Sequence, residues 1–452
     1  MTGVQTCALP IFKIGGLGDV IGSLPKALEQ LDVDVDVAVP FYPGASVKSS
    51  EISKIRDILV PYDGSTHLVE LFATKLPDSN VDVLLFKNDD FFSIGGKNAF
   101  LNNISETEMF AFFNRAVVEY IKCNYNIYDL IHCHDWHSGL VTHILKHELE
   151  ESRPATLFTI HNLMYQGIGH SGIIRKIGLD AGQHQLIDWD ISDGDINMML
   201  QGITSSDFVS TVSETYAEEI KTKEYGGIFD DVLKAREGRL VGILNGIDYS
   251  SLERDFTLAG WHEGKEDAKN KIYEELCIKC EKHTPIFSYI GRLDPGQKGL
   301  QLIYDLIPHI MKENACFVLL GVGDPLWEKK FNDLASKFQK TFRISCNTVF
   351  DTALAQKIYS ASDFLLVPSL YEPCGLIQMI AMHYGTLPIV RATGGLKDSV
   401  EHLETGIVFN KYSIEDFVKS LDTALSLYKD ESRFNQMVEK AISMDFSWDR
   451  SA

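Results

Sequence analysis

The chain contains 452 residues, of which 45% are hydrophobic and 10% aromatic, and it carries a formal net charge of −21. This length is too great for one hydrophobic core and predicts about two to four domains. The acidic balance disfavours nucleic acid and anionic membrane as partners, and no apolar run approaches the roughly 18 residues of a membrane span. An anionic ligand therefore needs a locally positive pocket.

The first ten residues fit nothing that follows them. Residues 1–10 lack the basic start and the long apolar run of a signal segment, so we interpret them as foreign to the fold.

In chain order, short apolar segments alternate with longer segments of helical periodicity. The predicted strands are residues 33–39, 81–86, 130–133, 156–160, 208–212, 286–290, 315–320, 364–367 and 387–390. The predicted helices include residues 21–31, 110–125, 139–149 and 376–382. This alternation predicts an α/β protein whose parallel sheets are covered by helices on both faces.

A polar, strand-poor segment at residues 249–282 interrupts this alternation. We therefore predict two doubly wound domains, residues 1–245 and 246–452. A cleft between such domains is the default place for a ligand.

The eight cysteines have no repeated spacing. Several lie within apolar segments: Cys123, Cys133, Cys316 and Cys346. This usage predicts reduced thiols in a cytoplasmic protein. Cys277 and Cys280 have the spacing of a redox motif, but they stand in a charged stretch and we interpret them as a chance pair.

Polar loops follow several predicted strands of the first half of the chain. Lys13, Gly15, Gly16 and Asp19 precede the first helix, where glycines let the backbone approach a ligand, although a structural glycine turn explains them equally well. His132, His134 and His137 end the strand 130–133, and the next strand leads into Asn162 and Tyr165. Zinc is disfavoured at the histidines because no fourth ligand is evident.

The second half contains cations in an otherwise acidic chain. Arg292 and Lys298 stand in a glycine-rich loop after the strand 286–290, a pattern that favours a diphosphate over the alternative of a solvated turn. Thr393, Gly394 and Gly395 follow the strand 387–390 and predict a loop of exposed N–H groups.

Glu372 lies between a buried strand and a helix. The strand 364–367 precedes it, and Gly375 opens the apolar stretch that follows. Ligands of open α/β sheets bind at this end of the strands, and the N–H groups of a helix start suit phosphate while a carboxylate suits hydroxyls. The combination predicts a site for a sugar attached to a diphosphate, and an ordinary strand-to-helix connection with a capping acid is the alternative.

With these motifs in order, the chain resembles the bacterial glycogen synthases and plant starch synthases, which are retaining glycosyltransferases of the two-domain GT-B fold. The resemblance runs from about residue 13 to residue 452. It rests on the Lys13 glycine loop, the Arg292 and Lys298 loop, and residues 134–137, 161–162, 165–167, 211–213, 244–248, 372–376, 384–388 and 393–396.

The resemblance implies two Rossmann-like domains and transfer of glucose from a nucleotide-glucose to the non-reducing end of an α-1,4-glucan, without metal or cofactor. Arg292 and Lys298 would neutralise the diphosphate, Glu372 would hold glucose hydroxyls, and His137 would lie beside the transferred sugar. The residues implied in binding substrate are Lys13, Gly15, Gly16, Asp19, Asn162, Tyr165, Phe350, Cys374, Gly375, Leu376, Thr393, Gly394 and Gly395.

Several positions depart from the family pattern. The loop from Arg292 to Lys298 is one residue longer than in the commonest glycogen synthases, and Phe350 replaces the usual tyrosine that stacks on the base. Ile380 replaces a usual tyrosine, and Met109 stands where arginine is common.

The ends also depart. The family's apolar first strand is not recognisable in residues 1–10, and the chain stops before the family's last helix. We therefore expect an incomplete chain without its central first strand.

Two other functions remain open at this stage. One is a different GT-B transferase with another donor or acceptor, and the other is a truncated, inactive protein that binds glucan or nucleotide. ADP-glucose is preferred over UDP-glucose by resemblance to bacterial members only, and the sequence does not decide the oligomeric state.

Overall fold

The computed structural model describes residues 2–4, 16–42, 51–92, 104–124, 127–179, 189–281 and 283–452. The chain divides into two compact units. The first comprises Met1–Val212, Ala217–Gly246 and Ser451–Ala452, and the second comprises Ser213–Tyr216 and Ile247–Arg450.

The strands are β1 Thr2–Val4, β2 Asp36–Pro40, β3 Ser53–Tyr62, β4 Ser65–Lys75, β5 Asp82–Lys87, β6 Leu130–His134, β7 Ala155–Ile160, β8 Ile168–His170, β9 Asp195–Asn197, β10 Phe208–Thr211, β11 Leu240–Gly242, β12 Ile286–Ile290, β13 Cys316–Leu320, β14 Ile344–Asn347, β15 Phe364–Val367, β16 Leu387–Arg391 and β17 Ile407–Phe409.

The helices are α1 Gly16–Gln30, α2 Glu106–Cys123, α3 Gly139–Glu148, α4 Ile173–Lys176, α5 Met198–Ser205, α6 Glu214–Glu219, α7 Lys223–Gly226, α8 Asp230–Lys234, α9 Trp261–Glu275, α10 Leu300–Lys312, α11 Pro325–Phe338, α12 Thr352–Ala361, α13 Ile377–His383, α14 Gly394–Ser399, α15 Ile414–Lys429, α16 Glu431–Ser443 and α17 Trp448–Ser451. Among the described residues, no helix is both long enough and apolar enough to span a bilayer.

Both units are built around largely parallel sheets. The first has a nine-stranded sheet in the order β11-β10-β7-β6-β1-β2-β5-β4-β3, and the second a six-stranded sheet in the order β14-β13-β12-β15-β16-β17. The second sheet is parallel throughout, and its strands β12, β13, β15 and β16 are buried along their whole length. Continuous apolar strands of this kind are covered by helices on both faces. The predicted strands and helices are thus confirmed within a few residues.

Two expectations are wrong at residues 2–4: that residues 1–10 are foreign to the fold, and that the central first strand is missing. β1 pairs in parallel with both β2 and β6, with Thr2 opposite Asp36 on one side and Ile131 on the other. A short parallel strand joins a sheet through the hydrogen bonds of its backbone N–H and C=O groups. Because such a strand does not need an apolar run, a search for apolar runs does not detect it. Residues 5–10 lie outside the described residues.

An antiparallel extension of the first sheet was not predicted. β3 and β4 form a hairpin that adds to β5, and its turn residues Asp63 and Gly64 both have positive φ (49° and 71°). An Asp-Gly pair with this geometry is the typical two-residue hairpin turn. The interpretation of the first domain as a purely parallel sheet is therefore corrected at this edge.

The expectation of reduced cysteines is also wrong for two of them. Cys316, the first residue of β13, forms a disulfide with Cys280, and their Cα atoms are 6.6 Å apart. The partners lie 36 positions apart and meet only because the chain from Cys280 leads into the neighbouring strand β12, so spacing could not reveal them. Cys123, Cys133 and Cys346 are free thiols.

Close packing of α3 against α5 generates a stability prediction. A Cβ atom at Gly139, the first residue of α3, would lie 1.9 Å from the carbonyl oxygen of Met198, the first residue of α5. Gly139→Ala should therefore lower the free energy of unfolding by about 1–3 kcal/mol in urea denaturation, because backbone has to move.

Gly260→Ala is the control, since its nearest neighbour would be Thr257 Oγ1 at 3.6 Å. Equal stability of the two variants would contradict this close helix contact.

Candidate active site

Glu372 is a buried carboxylate held by three side chains of the second unit. It is 5% exposed and follows β15 in the loop that leads to α13. Its Oε2 accepts hydrogen bonds from Lys298 Nζ at 2.7 Å and Ser369 Oγ at 2.9 Å, and its Oε1 lies 3.5 Å from Gln297 Nε2. A buried charge requires such partners, so this site is constructed around one anion.

The loop between β12 and α10 carries Arg292 and Lys298. This loop is one residue longer than expected from the family resemblance, and a turn at Asp294 accommodates the added length. Asp294 Oδ1 accepts from Gly296 N–H at 2.9 Å, and Asp294 O accepts from Lys298 N–H at 3.0 Å. Gly299 then enters α10 with φ +66°, which favours glycine. Lys298 reaches Glu372, so the longer loop does not shorten its reach.

Gln297 is a site residue that the sequence analysis missed. It is 2% exposed, and its Oε1 lies 3.4 Å from Arg292 Nη2 while its Nε2 faces Glu372 Oε1. Gln297 therefore connects the exposed arginine of the loop with the buried carboxylate. Only its place between two cations hinted at this role.

The backbone that carries Glu372 is hydrogen-bonded along its length. Arg391 donates to Ser369 O and Leu370 O, Gln297 Nε2 lies 3.4 Å from Tyr371 O, and Gly395 N–H lies 3.1 Å from Glu372 O. Pro373 O accepts from Ser213 Oγ at 2.5 Å. Such complete pairing of buried carbonyls holds the carboxylate in one place.

The two glycines after β16, Gly394 and Gly395, pack directly against the backbone of the loop that carries Glu372. A Cβ at Gly394 would lie 2.0 Å from Glu372 O, and one at Gly395 would lie 2.1 Å from Cys374 O. The expected loop of exposed N–H groups is wrong for Gly395, because its N–H already donates to Glu372 O and Pro373 O and the residue is buried with Thr393. Close packing against the Glu372 loop is what requires glycine here.

The start of α13 offers unengaged donors. Gly375 has φ +72°, and the helix begins two residues later at Ile377. Within the described part of the chain, the N–H groups of Gly375, Leu376 and Ile377 donate to no acceptor. Unpaired N–H groups at a helix start suit an anion. Cys374 beside them is buried, with Sγ 3.5 Å from Gly375 O.

In the first unit, Asp135 is the second residue that the sequence analysis missed. It follows β6 with φ +53°, and its Oδ1 accepts from the N–H groups of His161 (2.7 Å) and Asn162 (3.3 Å). Burial raises the pKa of Asp135 to about 7. A strained, buried acid after a strand is typical of a functional site, and it fixes the loop that carries Asn162.

Three neighbouring imidazoles line the ends of β6 and β7. His134 Nδ1 lies 3.0 Å from His161 Nε2, and the rings of His132 and His134 are 3.9 Å apart. Burial lowers the pKa of His132 to about 4 and that of His161 to about 3, so both rings are neutral near pH 7. No group of three or more His, Cys, Asp or Glu side chains in the described ranges is arranged to hold a metal ion.

His137 lies in a short turn, Trp136–Ser138, directly before α3. Its ring stacks on Trp136 with centroids 4.1 Å apart and meets Phe110 edge-on at 4.9 Å. Its Nδ1 is buried without a hydrogen-bond partner among the described residues, and burial lowers its pKa to about 3. His137 is therefore a neutral ring packed against Trp136 and Phe110.

The remaining predicted residues lie in the following places. Gly16 and Asp19 belong to the first turn of α1, and Asn162 Oδ1 accepts from Met164 N–H at 3.1 Å. Tyr165 is exposed, and Phe350, between β14 and α12, is 80% exposed. Lys13 and Gly15 lie outside the described residues.

The imidazole cluster predicts a pH dependence of stability. Burial and the neighbouring His132 and His161 hold the pKa of His134 well below 6.5. The unfolded chain therefore binds more protons than the folded one as pH falls below 6.5, and stability is lost. His134→Gln should reduce the loss between pH 7 and pH 5 by up to about 2 kcal/mol, measured by urea denaturation at each pH.

Exposed His283 provides the control variant, His283→Gln, which should reproduce the wild-type slope. Asp135 acts in the opposite direction because its pKa is raised, and the comparison with wild type cancels its contribution. An unchanged slope in His134→Gln would show that His134 is not buried as a neutral ring.

Comparison with known proteins finds similar proteins over nearly the whole chain. Residues 6–235 match the starch synthase catalytic domain family, and residues 278–441 match the glycosyl transferases group 1 family. Glycogen synthase of Pseudothermotoga lettingae is 38% identical, covering 98% of this chain and 94% of that protein. Glycogen synthase of Thermodesulfovibrio yellowstonii is 36% identical, covering 99% and 95%.

Two solved structures are also similar. The catalytic domain of starch synthase IV from Arabidopsis thaliana, bound to ADP and acarbose, matches with a TM-score of 0.89 and 31% identity over 99% of this chain and 96% of that one. Sucrose-phosphate synthase from Thermosynechococcus elongatus, at a TM-score of 0.63 and 18% identity over 99% and 94%, shares the fold. The predicted GT-B fold class and enzyme class are confirmed, and the chain belongs to the glycogen synthase and starch synthase family of glycosyltransferases.

Proposed function

We propose that this glycosyltransferase transfers glucose from ADP-glucose to the non-reducing end of an α-1,4-glucan with retention of configuration, in the cytoplasm. The observation that carries the proposal is the buried Glu372 carboxylate beside the unengaged N–H groups of Gly375 and Leu376. This arrangement offers an acceptor for sugar hydroxyls next to donors for phosphate.

The diphosphate is assigned to Arg292, Lys298 and the N–H groups at the start of α13. An ammonium group has three N–H donors, and Glu372 takes one of those of Lys298. Lys298 is therefore able to bind a phosphate oxygen while it still contacts Glu372. These cations stand in a chain of net charge −21, so they supply the local positive charge that an anionic leaving group needs.

The acceleration follows from where charge develops in the reaction. As the bond from glucose to the diphosphate breaks, negative charge grows on the leaving group and positive charge grows on an oxocarbenium-like sugar. Cations and N–H dipoles that are already in place stabilise the first charge, and fixed Glu372 orients the sugar that bears the second. No carboxylate is assigned as a covalent nucleophile.

Residues of the first unit are assigned by the family resemblance. His137 and Asn162 would contact the transferred glucose, and the neutral state of His137 suits hydrogen bonding to hydroxyls without a competing positive charge. Lys13, Gly15 and Gly16 would contact the donor. The remaining residues that the resemblance implies in binding substrate are Asp19 and Tyr165 in the first unit and Cys374, Thr393 and Gly394 in the second.

The adenine base is favoured for the donor because ADP is the nucleotide bound to the starch synthase IV relative. Exposed Phe350 would stack on the base, which requires a ring but not the hydroxyl of tyrosine. We further propose that residues 1–245 bind the acceptor glucan and residues 246–452 bind the donor.

The experiment is a transfer assay with purified protein, glycogen and radiolabelled ADP-glucose or UDP-glucose in the presence of EDTA. We expect incorporation into glucan from ADP-glucose at the higher rate. Preference for UDP-glucose would overturn the donor assignment, and no incorporation from either donor would overturn the proposed activity.

A substitution at the buried carboxylate tests its role. Glu372→Gln keeps the size of the side chain but weakens its hold on hydroxyls and on Lys298, so turnover should fall by about 10²–10³-fold. The measurement is kcat for glucose incorporation, with circular dichroism to show that the fold is retained.

Glu404→Gln is the matched control, because Glu404 is an exposed acid of the same unit that pairs with Arg433. Its kcat should equal that of wild type. A Glu372→Gln enzyme with near-normal turnover would refute the role given to the carboxylate.

A further inference from the structure

Arg391, the last residue of β16, has an unusual set of partners. Its side chain is buried, with 7% exposure. Nε donates to Ser369 O at 2.7 Å, and Nη2 donates to Leu370 O, so one guanidinium holds two consecutive carbonyl groups. The planar fork of arginine is suited to such paired acceptors, and the single ammonium of lysine is not.

Among the described residues, no acidic side chain forms an ion pair with Arg391. The ring of Tyr412 lies 6.0 Å from its guanidinium carbon. Burying a cation against carbonyl dipoles alone costs free energy that an apolar side chain would not cost. A contribution to folding stability therefore does not explain why this position has an arginine and not an apolar residue.

The two carbonyls belong to residues that hold the catalytic groups. Ser369 Oγ donates to Glu372 Oε2 at 2.9 Å, so the position of Ser369 decides where the carboxylate points. Leu370 N–H donates to Gln297 O at 2.7 Å, and Lys298 is the next residue. Arg391 therefore holds the backbone of the loop that carries Glu372 and, through Leu370, contacts the loop that carries Lys298.

We propose that Arg391 is a positioning residue, which aligns Glu372 and Lys298 with each other by fixing Ser369 and Leu370. The inference deepens the proposed function and rests on the role given there to Glu372. Arg391 acts through these residues and does not itself need to touch the substrate. A displacement of about 1 Å in such a site costs up to about 10²-fold in rate.

The test is Arg391→Lys, which keeps the charge but removes the fork. We expect kcat to fall about 10–100-fold while KM for glycogen stays within about twofold of wild type. Arg254→Lys is the matched control, since Arg254 is a half-buried arginine of the same unit that donates to a backbone carbonyl, His383 O, at 2.8 Å. Its kcat should not change, and any fall in melting temperature should be equal in the two variants.

A double-mutant comparison separates positioning from general packing. If Arg391 acts through Glu372, Arg391→Lys should reduce the residual kcat of Glu372→Gln by less than about threefold. A loss as large as in the wild-type background would overturn the proposal, and so would a wild-type kcat in the single variant.

Amide hydrogen exchange gives a second readout that does not depend on activity. Arg391→Lys should speed exchange in residues 369–376, and Arg254→Lys should leave that segment unchanged. Unchanged exchange in Arg391→Lys would overturn the proposal on its own. If Arg391→Lys speeds exchange but the wild-type protein transfers no glucose, the positioning role of Arg391 is supported and the proposed function is overturned.

Discussion

The arrangement of the candidate site in the second unit depends on one constraint, the burial of the Glu372 carboxylate. A carboxylate that is 5% exposed needs an opposite charge and hydrogen bonds to offset the free-energy cost of its burial. Lys298 supplies the charge, and Ser369 and Gln297 add donors. The backbone carbonyls of the loop that carries Glu372 also need donors, and Arg391 and the N–H group of Gly395 supply them.

Much of this architecture could be predicted from the sequence because its causes are local. Apolar runs that alternate with helical periodicity predicted the strands and the fold class, and the comparisons confirm the family. Glu372 and the pair Arg292 and Lys298 were found because parallel strands bring their carboxyl ends to one edge of a sheet. Motif order then implied the chemistry. The roles of individual residues remain predictions.

The rest depends on contacts between distant segments, which spacing does not reveal. Gln297, Arg391 and Asp135 acquire their importance from partners in other loops, and nothing in their local pattern separates them from ordinary polar residues. Strand β1 was missed because it contributes backbone pairing and not an apolar run, and the Cys280–Cys316 disulfide because adjacent strands join distant positions.

The central claim is that Lys298 serves the diphosphate while Glu372 serves the sugar, although the two form an ion pair. Titration calorimetry with ADP, which carries no glucose, separates these roles. The account predicts that Lys298→Met weakens ADP binding by about 10–100-fold, the value of a charge-assisted hydrogen bond, and that Glu372→Gln changes it by less than about threefold. An equal loss of ADP affinity in both variants would contradict the account.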